Sequence, residues 1–219
     1  MHKPSGYICC DCGMRYTERD SSYVYKTSCI CKQCFGKLEE TPYPMHFLSA
    51  AHKNFVYSPF YYTPEFRDLF AAFKFRGNEA CGHMLGMAAA ERLGSIDALR
   101  GYDAITPVPL SRQRFNERGY NQSEIMARYL ASALDIPIEP LLIKVHDTKP
   151  QSSVTNRNKF FNILGAFRAN ADAKGKRVIV FDDIHTSGTT LGECAKELKS
   201  AGASDVCLIS VSFVPVIKR

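Results

Sequence analysis

Nothing in this chain of 219 residues suggests a route into or across a membrane. No apolar run approaches the roughly 20 residues that span a bilayer. The stretch Met1, His2, Lys3, Pro4, Ser5, Gly6 leads into cysteines with no apolar signal core, so an unprocessed, cytoplasmic protein without membrane insertion is expected. Internal repeats and low-complexity tails are also missing, and the whole length is expected to be ordered. A disulfide scaffold is a poor explanation of the cysteines: they number nine, an odd count, and six of them lie between Cys9 and Cys34. The remaining Cys81, Cys194 and Cys207 fall in helix or strand patterns as small apolar residues.

What is present fits one ordinary α/β domain with a small appendage, at 45% hydrophobic content. The formal charge is +6, and four zinc-bound thiolates would lower it to about +4. That is permissive for nucleic acid and diagnostic of nothing.

Chemistry is stated most directly between residues 176 and 191. Residues 178–181 are an unbroken apolar run suited to a strand of a parallel sheet covered on both faces. Asp182 and Asp183 follow, then the hydroxyl-rich turn Thr186, Ser187, Gly188, Thr189, Thr190, then Leu191, Cys194, Ala195 and Leu198 on one helical face. A helix opening after such a turn directs unpaired N–H groups and the positive end of its dipole at the turn, which favours a phosphate. The turn lacks the lysine of a Walker-type loop, which argues against a triphosphate clamp. Paired carboxylates accept hydrogen bonds from vicinal hydroxyls, so the ligand implied is a ribose phosphate. A purely structural strand, turn and helix would leave the two acids without a purpose.

Near the N-terminus, Cys9 and Cys12 form one pair with two residues between, Cys31 and Cys34 another, and 18 residues separate the pairs. This zinc-ribbon spacing can bring four thiolates to a tetrahedral metal, which a segment with so little apolar content needs in order to fold. Cys10 and Cys29 are close enough to compete as ligands, but the symmetric spacing selects Cys9, Cys12, Cys31 and Cys34. Four-thiolate zinc is coordinatively closed, so the metal is expected to be structural, and a redox role is the weaker alternative.

In the middle of the chain, residues 55–62 are aromatic and strand-like, with Pro59 confining the strand to an edge or splitting it. Thr63 and Pro64 suit a helix start, and Phe66, Leu69, Phe70 and Phe73 repeat at helical spacing up to Gly77. Lys74 and Arg76 are read evenly as a solvated helix end or as phosphate contacts. A second helix is expected from residue 79 to about 93. Residues 104–109 make a short strand broken by prolines, and Arg112, Arg114 and Arg118 follow on what reads as a loop before a helix capped by Asn121, with Ile125, Tyr129, Leu130 and Leu134 on its buried side. Three guanidinium forks on one loop suit phosphate oxygens. The polar stretch 149–162 reads as a mobile flap over the site, with disorder without a role as the alternative, and residues 206–211 as the next parallel strand.

Two resemblances gather these motifs. Residues 178–190 resemble the phosphoribosyl-pyrophosphate signature of type I phosphoribosyltransferases, departing from it at His185, where an aliphatic residue is usual. Thr106, Pro107, Val108, Pro109 and Leu110, the arginines, Gly119 to Gln122, Lys74 to Gly77, and Gln151, Arg157, Asn162 and Phe167 resemble the ComF family of competence-associated proteins. The fold so implied is α/β: a type I phosphoribosyltransferase fold, a mostly parallel twisted sheet flanked by helices, over residues 46–219, with a zinc-ribbon-like module at 1–45. Residues 46–100 would form a hood and helical part, and 101–219 the core. The resemblance further implies that Asp182, Asp183, Thr186, Ser187, Gly188, Thr189 and Thr190 hold the ribose phosphate. Thr106, Pro107 and Val108 would face the pyrophosphate, with Arg112 and Arg118 closing over it.

The activity implied is that of a phosphoribosyltransferase using magnesium, linked to DNA uptake in natural competence. Thr186 stands where purine-salvage relatives carry an acid, which argues against an oxopurine acceptor. The alternative is a non-catalytic protein that handles single-stranded DNA or acts as an adaptor in transformation, with phosphoribosyl pyrophosphate as a regulator. Implied partners are single-stranded DNA and a DNA-uptake helicase or another competence protein.

Overall fold

Alternation along the two longest strands decides which residues face which layer. The computed structural model describes residues 6–42, 45–47, 55–145 and 163–215. In chain order the strands are β1 (Tyr7–Cys9), β2 (Arg15–Tyr16), β3 (Ser21–Tyr25), β4 (Ser28–Cys31), β5 (Met45–Phe47), β6 (Phe55–Tyr57), β7 (Phe60–Tyr61), β8 (Ala104–Pro107), β9 (Leu142–Lys144), β10 (Phe167–Ala169), β11 (Arg177–His185) and β12 (Asp205–Phe213). The helices are α1 (Lys32–Phe35), α2 (Pro64–Arg76), α3 (Glu79–Gly94), α4 (Arg112–Arg118), α5 (Gln122–Leu134) and α6 (Thr189–Ser200).

The main sheet runs β5-β6-β12-β11-β8, with β7 also on β12. β11 is parallel to both β12 and β8, and β6 and β7 are parallel to β12; β5 lies antiparallel at the edge. Ile105, Ile179, Phe181, Ile209 and Val211 share one face with the buried side chains of α2, α3 and α5. Val178, Val180 and Leu208 point the other way, into a second core with Leu191, Cys194 and Leu198 of α6. Successive strand residues thus feed opposite layers, as a period of two requires.

Several expectations are met by local chemistry. Thr63 Oγ1 accepts from Phe66 N–H at 3.3 Å and Gly77 ends α2 at φ 67°. Pro59 falls in the break between β6 and β7, so the aromatic stretch is split. On the predicted buried side of α5, Leu130 and Leu134 are core, while Ile125 and Tyr129 are only partly covered and Met126, Ala127 and Ala131 complete the buried face.

Two expectations change. The arginine segment is a helix, α4, because Ser111 caps it by accepting from Arg114 N–H and Gly119 at φ 78° terminates it. The strand carrying the acids does not stop at Phe181; β12 continues to pair with it as far as His185 opposite Phe213. The proposed flap at 149–162 lies outside the described residues.

The cysteine-rich segment forms its own sheet, β2-β1-β4-β3, yet shares one core with α3: Cys9, Ile30, Cys31 and Leu38 belong to the same buried cluster as Met84, Leu85 and Ala88. Tyr25 stacks on His83 with ring centroids 3.7 Å apart, and Arg92 of α3 donates to Glu40 and to the Thr41 carbonyl. α3 in turn lies tightly on α5. A Cβ added at Gly86 would sit 3.0 Å from Met126 Cα and 2.7 Å from the Tyr129 ring, so only glycine permits this crossing.

Candidate functional site

β8 ends in register with β11, Pro107 opposite Phe181. The next two residues of β11, Asp182 and Asp183, therefore project past their neighbour, into the crevice at the carboxyl ends of parallel strands where ligands bind in open α/β sheets. Chain geometry alone brings them there.

The two acids are held differently. Asp182 Oδ1 accepts from Ser123 Oγ at 3.1 Å and from the Asp183 N–H at 2.8 Å. Burial, and then the neighbouring Asp183 charge, push Asp182 up to about 7. Asp183 Oδ1 accepts from the Ile184 N–H at 2.7 Å, and its Oδ2 lies 3.3 Å from Lys74 Nζ. Ser123 comes from the first turn of α5, and Lys74 from the last turn of α2.

Beyond the acids, residues 186–190 turn into α6. Gly188 at φ 76° occupies the N-cap and supplies no side-chain cap, so the first N–H groups of α6 open onto the turn. Ser187 Oγ and Thr189 Oγ1 are 2.9 Å apart. This concave, donor-rich turn has the geometry of an anion cradle.

A cavity of about 310 Å³ joins these parts. Asp182, Asp183, Thr186 and Thr190 border it, with Lys74, Arg114, Arg118 and Lys144 as cations and Val108, Ile163 and Phe167 among the apolar walls. Ser187, Gly188 and Thr189 line the small hollow that continues around the turn. Arg118 loses proton affinity through burial and through the neighbouring Arg114 charge, which leaves cationic repulsion in the cavity for an anion to relieve.

Not every candidate converges there. Thr106 is buried in β8, where its hydroxyl accepts from the Leu141 N–H at 3.2 Å. Pro107 and Arg112 border a neighbouring hollow with Phe115 and Ile143. Ser123 and Lys144 were not singled out by sequence reasoning. A serine two positions past a helix cap gives no sign that a strand 59 residues later will reach it. Tyr120 stacks on Phe73 at 5.3 Å and donates to the Phe73 carbonyl, while Asn121 caps α5 and donates to the Val108 carbonyl, so this pair positions the β8 loop.

The four cysteines selected by spacing do converge. The sulfurs of Cys9, Cys12, Cys31 and Cys34 all lie within 4.8 Å of one another. Zinc at ~2.3 Å from each thiolate would space them about 3.8 Å apart, so a small contraction accommodates it. Cys31 N–H donates to Cys9 Sγ and Cys34 N–H to Cys31 Sγ, both at 3.4 Å. Such N–H to sulfur bonds steady thiolate charge. Cys12, although partial desolvation works against it, is brought down to about 7 by hydrogen bonds from Met14, Tyr16 and its sister thiols, and burial pushes Cys9 up to about 11. Cys10 is turned away, its Sγ 3.9 Å from Met84 Sδ, and Cys29 lies outside the cluster. The donor set fits a closed structural site for a metal such as zinc.

Comparison with known proteins gives the class first: residues 121–218 match the family described as a phosphoribosyl transferase domain, and the parallel sheet with its crevice is the fold of the type I enzymes. The chain is similar to competence and DNA utilization proteins. It is 27% identical over 213 residues to competence protein ComFC of Bacillus subtilis, covering 95% of this chain and 80% of that one. It is 32% identical over 108 residues to competence protein F of Haemophilus influenzae, or 48% of this chain and 47% of the relative. With the DNA utilization protein YhgH of Escherichia coli it shares 30% over 105 residues, 48% and 46% of the two chains. The match thus spans about half the length of the Haemophilus and Escherichia relatives. Among the described residues, no helix is long and apolar enough to cross a membrane.

Proposed function

We propose that this protein binds phosphoribosyl pyrophosphate with magnesium and acts as a phosphoribosyltransferase of the ComF family, in the service of DNA uptake. The observation that carries this reading is the placement of Asp182 and Asp183 between the anion cradle at 186–190 and the cations of the cavity wall. The ribose 5-phosphate would lie in the cradle, its hydroxyls donating to the acids. The pyrophosphate would lie toward Val108, Arg114 and Arg118. Magnesium would bind mainly pyrophosphate and ribose oxygens and waters. In transfer, the bond from the anomeric carbon to pyrophosphate breaks, the leaving group takes the electron pair, and a nucleophile bonds to that carbon. The paired acids stabilise the positive charge that develops there.

Titration calorimetry with phosphoribosyl pyrophosphate and magnesium tests the reading. Native protein is expected to give heat, and the double variant Asp182→Asn, Asp183→Asn none. Absence of heat with native protein removes the proposal, and release of pyrophosphate across a panel of bases and amines identifies the acceptor.

One observation favours a second reading, binding of single-stranded DNA. Phe75 on α2 is 72% exposed and Phe115 on α4 is 48% exposed, both close in sequence to arginines. Exposed rings among guanidinium groups suit base stacking and phosphate contact. Salt-sensitive affinity for single strands above that for duplex supports it; no binding at low salt rejects it.

A further inference from the structure

We propose that Lys74 is a ligand-exchanged cation: it neutralises Asp183 in the free protein and transfers to the pyrophosphate when phosphoribosyl pyrophosphate enters. The inference rests on the reading of the site given above and assigns a residue outside the signature strand to it. Lys74 Nζ stands 3.3 Å from Asp183 Oδ2, with side-chain exposures of 22% and 17% for the two partners. The pair therefore occupies the carboxylate that a ribose hydroxyl would need. The ammonium lies 5.0 Å from the Phe70 ring and 6.0 Å from Phe75, and Arg118 lies 5.8 Å from that same Phe75 ring. The last turn of α2 thus carries its lysine toward the α4 cations on the wall of the same cavity.

A lysine suits this exchange better than an arginine. Its charge sits on a flexible four-carbon stem with rotatable donors, whereas a guanidinium fork would lock onto the carboxylate. When ribose hydroxyls replace the ammonium on Asp183, a charge displaced from its acid gains most by moving to the nearest anion, and the leaving pyrophosphate is that anion. Lys74 would then bind substrate and stabilise charge as pyrophosphate departs.

Calorimetry with two probes tests this: phosphoribosyl pyrophosphate with magnesium, and ribose 5-phosphate, which lacks the pyrophosphate. Lys74→Met is expected to weaken the first by about tenfold or more, the scale of one charge-assisted contact. The second should be unchanged or tighter, because Asp183 has lost its competitor. Equal loss with both probes would mark the lysine as structural, and no loss with the first would remove its contact to pyrophosphate; either overturns the inference while native binding leaves the site reading intact. If native protein binds neither probe, the site reading falls and this inference with it. Urea melts confirm that Lys74→Met is folded, and Lys74→Arg gives a second variant with the charge retained, expected to recover only part of the affinity.

Discussion

Asp182 and Asp183 are adjacent in sequence but unlike in surroundings. Asp183 has a cation beside it, and Asp182 has a hydroxyl, an N–H and a like charge. The result is an acid that holds its proton up to about 7, well above the ordinary 3.8. Between about pH 4 and pH 7 the folded chain binds more protons here than the unfolded chain, so the stability this group contributes is present at low pH and lost as pH rises through that window. Asp182→Asn keeps the carbonyl acceptor and abolishes the titration. Relative to the native protein it is expected to gain stability on going from pH 4 to pH 8, measured by urea unfolding; parallel pH profiles for the two proteins would contradict this. Gly188, at φ 76°, is the other residue whose identity matters singly. Gly188→Val places a β-branched side chain in the left-handed region, a cost of roughly 1–3 kcal/mol, and should weaken phosphoribosyl pyrophosphate binding as well as lower Tm. A variant that binds with native affinity would mean the turn does not touch the phosphate.

At the scale of elements, helices set the site's walls. α2 brings Lys74, α4 brings Arg114 and Arg118, and α5 brings Ser123. Their placement depends on close packing. The Gly86 crossing of α3 on α5 leaves no room for a methyl, so Gly86→Ala is expected to destabilise by about 1–3 kcal/mol. Because α5 carries Ser123, the displacement should also reduce ligand affinity, which urea melts and calorimetry on the same variant would reveal together. Loss of stability with full affinity would mean α5 does not position the acid. The α2 cap is a separate, smaller effect: Thr63→Ala should cost about 1 kcal/mol, with the cavity unaltered.

At the scale of the whole molecule, the cysteine module and the larger sheet are not independent beads. The module's cysteines share a core with α3, and α3 with α5, so packed side chains connect the cysteine cluster to α5, whose Ser123 donates to Asp182. Chelation at neutral pH should lower Tm and unfold the β2-β1-β4-β3 sheet, read by circular dichroism with and without added zinc. Cys34→Ser should reproduce the loss, and Cys10→Ser, whose sulfur faces Met84, should retain metal. Unchanged melting after demonstrated metal removal would dismiss a structural role.

Sequence alone determined what depends on neighbours in the chain. The apolar run 178–181, the acids, the hydroxyl turn and the amphipathic start of α6 could be read in order because strand, turn and helix are local. Thr63 and Gly77 marked the ends of α2 for the same reason, and cysteine spacing chose the four sulfurs that meet. Sequence failed where tertiary contacts decide. β11 outruns its apolar segment because β12 pairs with it to His185, and His185 is covered there against Phe213, 6.4 Å away between rings. A mid-chain serine became a partner of Asp182 only because α5 lies over β11. Of the predicted arginines, folding turned Arg118 into the cavity and left Arg112 on the adjoining hollow, since residues on one short helix point in different directions. The chemistry was written in the sequence; which side chains share it was fixed by how helices cross the sheet.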